Sequence, residues 1–100
     1  MPNNKNILSE IIPFREKIDA LDDELVKLFN RRANLAMQIG HIKRRHNLPV
    51  YVPSREEDVI AQVQSVNRGP LSNEAIRRLF ERVIDESRRL ERETSGLDPE

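Results

Sequence analysis

Between Pro13 and His46 one apolar series recurs at alternating steps of four and three: Phe14, Ile18, Leu21, Leu25, Leu28, Leu35, Ile39 and Ile42. That spacing predicts the seam of a long amphipathic helix that packs on other helices. At the usual rise per residue such a helix is roughly 50 Å long. A seam of that length exceeds what one compact domain of 100 residues can bury on its own, so self-association is expected. One position breaks the pattern. The step of four from Leu28 lands on Arg32, placing a guanidinium where an apolar side chain belongs. Lys43 lies eleven residues beyond Arg32, and three helical turns bring it back to within roughly 20° of the same direction, roughly 16 Å away along the axis. Two long cationic side chains on one face can converge on a small anion held between them.

The composition limits what that anion belongs to. Seventeen basic residues balance 17 acidic ones, whereas nucleic-acid-binding domains show a net basic face, so no nucleic-acid partner is expected. Aromatic residues are 4% of the chain against 37% hydrophobic in all, which predicts an aliphatic core. With no cysteine there is neither a disulfide framework nor a thiolate metal site. The opening MPNNKNILSE has neither a basic leader nor an apolar stretch, and no run reaches membrane length; the expectation is a cytoplasmic protein with no membrane partner.

In chain order, residues 1–6 are polar and expected to fray, with the firm helix starting near Pro13, which lacks a donor. Gly40 inside the helix forfeits roughly 1 kcal/mol against alanine and suggests close approach by a ligand or a crossing helix. Lys43, Arg44, Arg45 and His46 suit a helix C-terminus, which ends near Asn47. Pro49 and Pro53 stiffen the following LPVYVP segment into an extended loop. Ser54 with Glu57 reads as a capping box opening a second helix, whose apolar face is Val59, Ile60, Val63 and Val66 and which closes at Asn67-Arg68-Gly69-Pro70. Ser72 caps a third helix to about Thr94, with a stripe of Ile76, Leu79, Phe80, Val83, Ile84, Ser87, Leu90 and Glu91. The expected organisation is all-α: one helical domain over 1–94, built of one long and two shorter helices, and a flexible tail at 95–100.

Several polar residues sit where this pattern asks for apolar ones or where the helix dipole disfavours them. These are Arg32 and Lys43 on the first helix, Arg55 at the start of the second, and Ser87 and Glu91 on the inner stripe of the third. A buried charge is retained only with a partner, and Glu91 neutralises at most one of three cations. The set implies a cavity for a small ligand carrying about two negative charges. The chain lacks a nucleophile–base pair, a phosphate-cradling glycine loop and metal-ligand spacing. Catalysis here would work by positioning and electrostatics, with no cofactor and no metal.

Four segments carry a family resemblance: REKIDALDDEL, the RR-x₃-A-x₃-G-x₂-K run from Arg31 to Lys43, PVYVPSREE, and IRRLFERVIDES. In that order and spacing, across Phe14 to Glu91, the chain resembles the all-α chorismate mutases. The resemblance implies three helices per subunit intertwined as a homodimer, and conversion of chorismate to prephenate on the route to phenylalanine and tyrosine. It also implies roles. Arg15, otherwise an exposed first-turn cation, matches an arginine that crosses into the partner subunit's site. Arg32 matches the arginine holding a substrate carboxylate, and Lys43 the lysine on a carboxylate and the ether oxygen. Arg55 matches an arginine near the ring carboxylate, Glu56 the acceptor of the ring hydroxyl, and Ser87 and Glu91 the third-helix pair, with Glu91 facing the ether oxygen. Lys43 and Glu91 would carry the catalysis. Val52 stands where an acidic residue is common; a backbone N–H contact tolerates valine there and a side-chain contact does not. The alternatives are an isochorismate-pyruvate lyase, similar in fold and site, and a non-catalytic helical dimerisation or regulatory module.

Overall fold

The computed structural model describes residues 4–95 and consists of three helices: α1 (Asn4–His46), α2 (Pro53–Ser65) and α3 (Asn73–Ser95). The chain divides between Arg32 and Ala33 into two compact units. The architecture is the expected all-α one, with one long helix followed by two shorter ones. The tail expected at 95–100 falls, from residue 96 onward, outside the described residues, as do residues 1–3.

The start of α1 differs from expectation. Helix begins at Asn4 rather than near Pro13, which lies inside it. Proline removes one backbone donor and crowds the carbonyl four residues earlier, yet Ile7, Leu8, Ile11 and Ile12 keep helical spacing on its N-terminal side. One forfeited bond does not end the element. In the first unit Phe14, Ile18, Leu21, Leu25 and Leu28 are all exposed, as is Arg15, while Arg32 is half-buried.

The end of α1 follows from its residues. Asn47 adopts φ 52°, a left-handed conformation that asparagine tolerates better than most side chains. The Leu48 N–H donates to the Lys43 carbonyl at 2.9 Å and the Asn47 N–H to the Arg44 carbonyl at 3.5 Å. This is the reciprocal pairing of a Schellman ending. Lys43, Arg44, Arg45 and His46 fill the last turn, where cations meet the negative end of the helix dipole.

The expected capping box at Ser54 does not form. Val52 is the N-cap, in extended conformation and without a side-chain bond, and Pro53 occupies the first turn. Proline's fixed φ suits that position, and its missing N–H would have had no intrahelical acceptor; the helix therefore starts two residues early and Ser54 lies within it. The Arg55 and Glu56 N–H groups donate to the Val52 carbonyl at 3.1 and 3.2 Å. Ser72 behaves as expected, its hydroxyl accepting the Ala75 N–H at 3.0 Å at the start of α3. Between α2 and α3 the Asn67 side chain organises the turn, donating to the Leu71 carbonyl and accepting the Gly69 N–H.

In the second unit the core is small and aliphatic: Ala36, Ile60 and Ile84 are buried. Val59 and Val63 on α2, and Ile76, Phe80, Val83 and Leu90 on α3, are half-buried around it, whereas Val66 and Leu79 are exposed. The face that α1 turns inward is not its leucine seam. Ala33, Ala36, Met37, Gly40 and Lys43 are buried or half-buried, while Leu35, Ile39 and Ile42 remain outside. Small residues at helical spacing let α3 approach closely, and the bulky seam stays exposed. No helix among the described residues is long and apolar enough to cross a membrane.

Candidate active site

The site in the second unit starts from Gly40. A Cβ built there would lie 3.0 Å from the Glu91 carbonyl oxygen, 3.2 Å from the Glu91 Cα and 3.2 Å from the Cβ of Thr94, which is itself buried. Glycine lets α1 and α3 touch backbone to backbone here, where a side chain would press on α3 by a few tenths of an ångström. One turn further along α1, that contact brings Lys43 Nζ to 2.9 Å from Glu91 Oε1, with both side chains about 15% exposed. The pair is a charge contact and not an aligned hydrogen bond. The directed bond of the ammonium goes to the Val50 carbonyl at 3.0 Å, and buried Oε1 receives no hydrogen bond. An ammonium has three donors, so Lys43 is anchored by the loop and keeps capacity for a ligand oxygen.

Beside it, the expected residues of the loop and α2 fall into two groups. Glu56 is half-buried and accepts from Arg88 Nη2 at 2.8 Å. Arg55 is exposed and makes no ion pair among the described residues, and Val52 is half-buried at the helix N-cap. On α3 the half-buried Ser87 hydroxyl donates to the Val83 carbonyl at 2.9 Å. Lys43 with Glu91 and Glu56 with Arg88 thus form two neutral pairs, and Arg55 adds positive charge. Arg15 and Arg32 lie on α1 before Ala33, in the first unit.

Two residues here escaped the sequence reading. Arg88 carries no assignment there, and Tyr51 is only part of a stiff loop; in the structure the Arg88 guanidinium lies 4.6 Å from the Tyr51 ring centroid. The signal was available. Ile84, Arg88 and Glu91 follow one another by steps of four and three, so an arginine continues the line of a buried isoleucine. Glu56 and Arg88 also border a cavity of ≈ 150 Å³ in the α2–α3 groove, lined besides by Ile60, Arg77, Ile84 and Asp85. Small-molecule sites typically enclose about 300 Å³ or more.

The fold defines a class: an all-α chain of one long and two shorter helices, with a Lys43–Glu91 pair between α1 and α3 and a Glu56–Arg88 pair between α2 and α3. The chain belongs to the chorismate mutase type II family, whose sequence model matches residues 14–92. It is 42% identical over 82 residues to the bifunctional chorismate mutase/prephenate dehydratase of Neisseria gonorrhoeae, covering 82% of this chain and 22% of that one. With the bifunctional protein of Aquifex aeolicus it shares 34% over 89 residues, 85% of this chain and 25% of the other. It therefore spans about a fifth to a quarter of the length of these curated relatives. Solved structures of more nearly equal length agree in fold. Chorismate mutase (Form II) from Thermus thermophilus superposes with a TM-score of 0.81 at 34% identity, over 83% of this chain and 94% of that one. Chorismate mutase from Helicobacter pylori, solved in complex with prephenate, gives 0.82 at 27% identity over 91% and 99%.

Proposed function

We propose that this chain rearranges chorismate to prephenate, as a homodimer whose two sites each draw on both subunits. The observation that carries the reading is the Lys43–Glu91 pair, held 2.9 Å apart in a half-buried position where α1 and α3 touch. The reaction is an isomerisation: the ether C–O bond breaks as a C–C bond forms between the enolpyruvyl group and the ring, with no atom gained or lost. It asks the protein for a folded, near-attack conformation and for donors at the ether oxygen, where negative charge develops. Lys43 donates to that oxygen from one side, and a protonated Glu91 carboxyl donates from the other. Both bonds strengthen in the transition state, so they raise the rate and not merely the affinity.

The remaining residues hold the dianion. Arg32 and the partner subunit's Arg15 take carboxylate oxygens through guanidinium forks. Arg55 faces the ring carboxylate, Glu56 accepts the ring hydroxyl with help from the backbone at Val52, and Ser87 supplies a further hydrogen bond. The shared site is supported by the exposed leucine seam of α1. The test is an assay of chorismate and isochorismate consumption by the purified chain, with prephenate and pyruvate followed separately. Prephenate from chorismate is the expected product. Pyruvate release from isochorismate alone would make it a lyase, and a folded dimer with no turnover would reduce it to a dimerisation module.

A further inference from the structure

We propose that Arg88 is a positioning residue for this reaction, fixing Glu56 so that one carboxylate oxygen is engaged and the other is presented to the substrate's ring hydroxyl. The inference rests on the reading above and goes beyond it, since Arg88 has no role there.

Arg88 Nη2 bonds Glu56 Oε1 at 2.8 Å and reaches Asp85 Oδ1 at 3.3 Å. No other bond to the Glu56 carboxylate forms among the described residues, so Oε2 keeps its acceptor capacity. The guanidinium also lies over the Tyr51 ring, 4.6 Å from its centroid, a cation–π contact. Its Nε is buried without an acceptor, so the protein contacts that hold the plane are those to Glu56, Asp85 and Tyr51. One planar group therefore joins α2, α3 and the loop between α1 and α2. That loop carries the Val50 carbonyl on which Lys43 is anchored. The charge matters as much as the geometry. An unpaired carboxylate beside a dianionic substrate repels it, and Arg88 neutralises Glu56 without occupying the oxygen that the hydroxyl needs. Lysine would keep the charge but lose the planar fork and the ring stacking.

The test compares Arg88→Met, Arg88→Lys, Glu56→Gln and the Glu56→Gln/Arg88→Met double variant in chorismate turnover, with melting curves as a check on folding. Arg88→Met should lower kcat/KM by on the order of ten- to a hundredfold, the worth of one charge-assisted hydrogen bond, and chiefly through KM. Arg88→Lys should recover part of that loss. In the Glu56→Gln background the Arg88→Met change should matter by less than about threefold, because its effect runs through Glu56. If Arg88→Met does not fold, the same cycle with Arg88→Lys decides. Single-variant losses that multiply in the double variant, or Arg88→Met kinetics within about twofold of wild type, would overturn the role of Arg88 and leave the proposed function standing. A wild-type chain that does not turn over chorismate would overturn both.

Discussion

At the scale of single residues, Glu91 bears the sharpest chemical demand. A carboxyl donates a hydrogen bond only when protonated, and as a carboxylate it repels the charge growing on the ether oxygen. In the free chain Lys43 sits 2.9 Å from it. Glu91→Gln has nearly the same shape and carries a permanent amide donor, so it should keep kcat/KM within about tenfold of wild type, whereas Glu91→Ala, which leaves no donor, should lose on the order of a hundredfold or more. Steady-state kinetics on the three proteins, with circular dichroism as the check on folding, make the measurement. A folded alanine variant near wild-type activity, or a glutamine variant that is inactive, would remove Glu91 from the ether oxygen.

At the scale of elements, the approach of α1 to α3 depends on Gly40. Alanine there would gain roughly 1 kcal/mol in helix propensity, but the added methyl meets the Glu91 backbone at 3.0 and 3.2 Å. Backbone atoms cannot rotate away, so α3 must shift, and overpacking of this kind costs about 1–3 kcal/mol. The clash should win. Gly40→Ala should therefore lose up to about 2 kcal/mol in urea unfolding and on the order of tenfold or more in kcat, because Glu91 moves off Lys43. A stabilised variant with full activity would show that this contact does not position the pair. The same elements indicate how much was legible beforehand. Helix number and order followed from periodicity and from Ser72; Arg32, Ser87 and Glu91 stood out because each interrupts an apolar stripe, and Lys43 because it aligns with Arg32. Boundaries were less legible where two local rules compete, as when Pro53 overrides the Ser54 cap or when apolar spacing carries helix through Pro13. Arg88 was hidden because its three partners, Glu56, Tyr51 and Asp85, come from three segments, and only Asp85 lies within reach along the chain. Which neighbour each face of α1 takes is hidden for a related reason. Leucines mark a seam for any neighbour, and only tertiary structure shows that α3 takes the alanine–glycine face instead.

At the scale of the whole molecule, the leucine seam becomes a statement about assembly. Phe14, Ile18, Leu21, Leu25, Leu28, Leu35, Ile39 and Ile42 are each 44–65% exposed in the single chain. Covering each of them contributes on the order of 1 kcal/mol, and a two-fold dimer counts every residue twice. The total, roughly 15 kcal/mol, is comparable with the cost of association, whereas a monomer would leave the entire stripe in water. A second copy of the chain offers the same stripe, and in the proposed dimer Arg15 of each subunit serves its partner's pocket. Arg15→Ala and Arg32→Ala homodimers should then each be nearly inactive while remaining folded and dimeric. In a mixed dimer both losses fall on one pocket, since the Arg15→Ala subunit lends its defect to the pocket that already lacks Arg32. The other pocket has both arginines. Unfolding and co-refolding the two variants in equal amounts should make half of the dimers mixed and return about a quarter of wild-type activity, by the two-fold symmetry of the assembly. Tagged subunits and native mass spectrometry would establish the mixed fraction independently of turnover. Mixed dimers at that fraction with no recovered activity would mean that Arg15 serves its own subunit's pocket, and an Arg15→Ala homodimer of full activity would mean that it serves none.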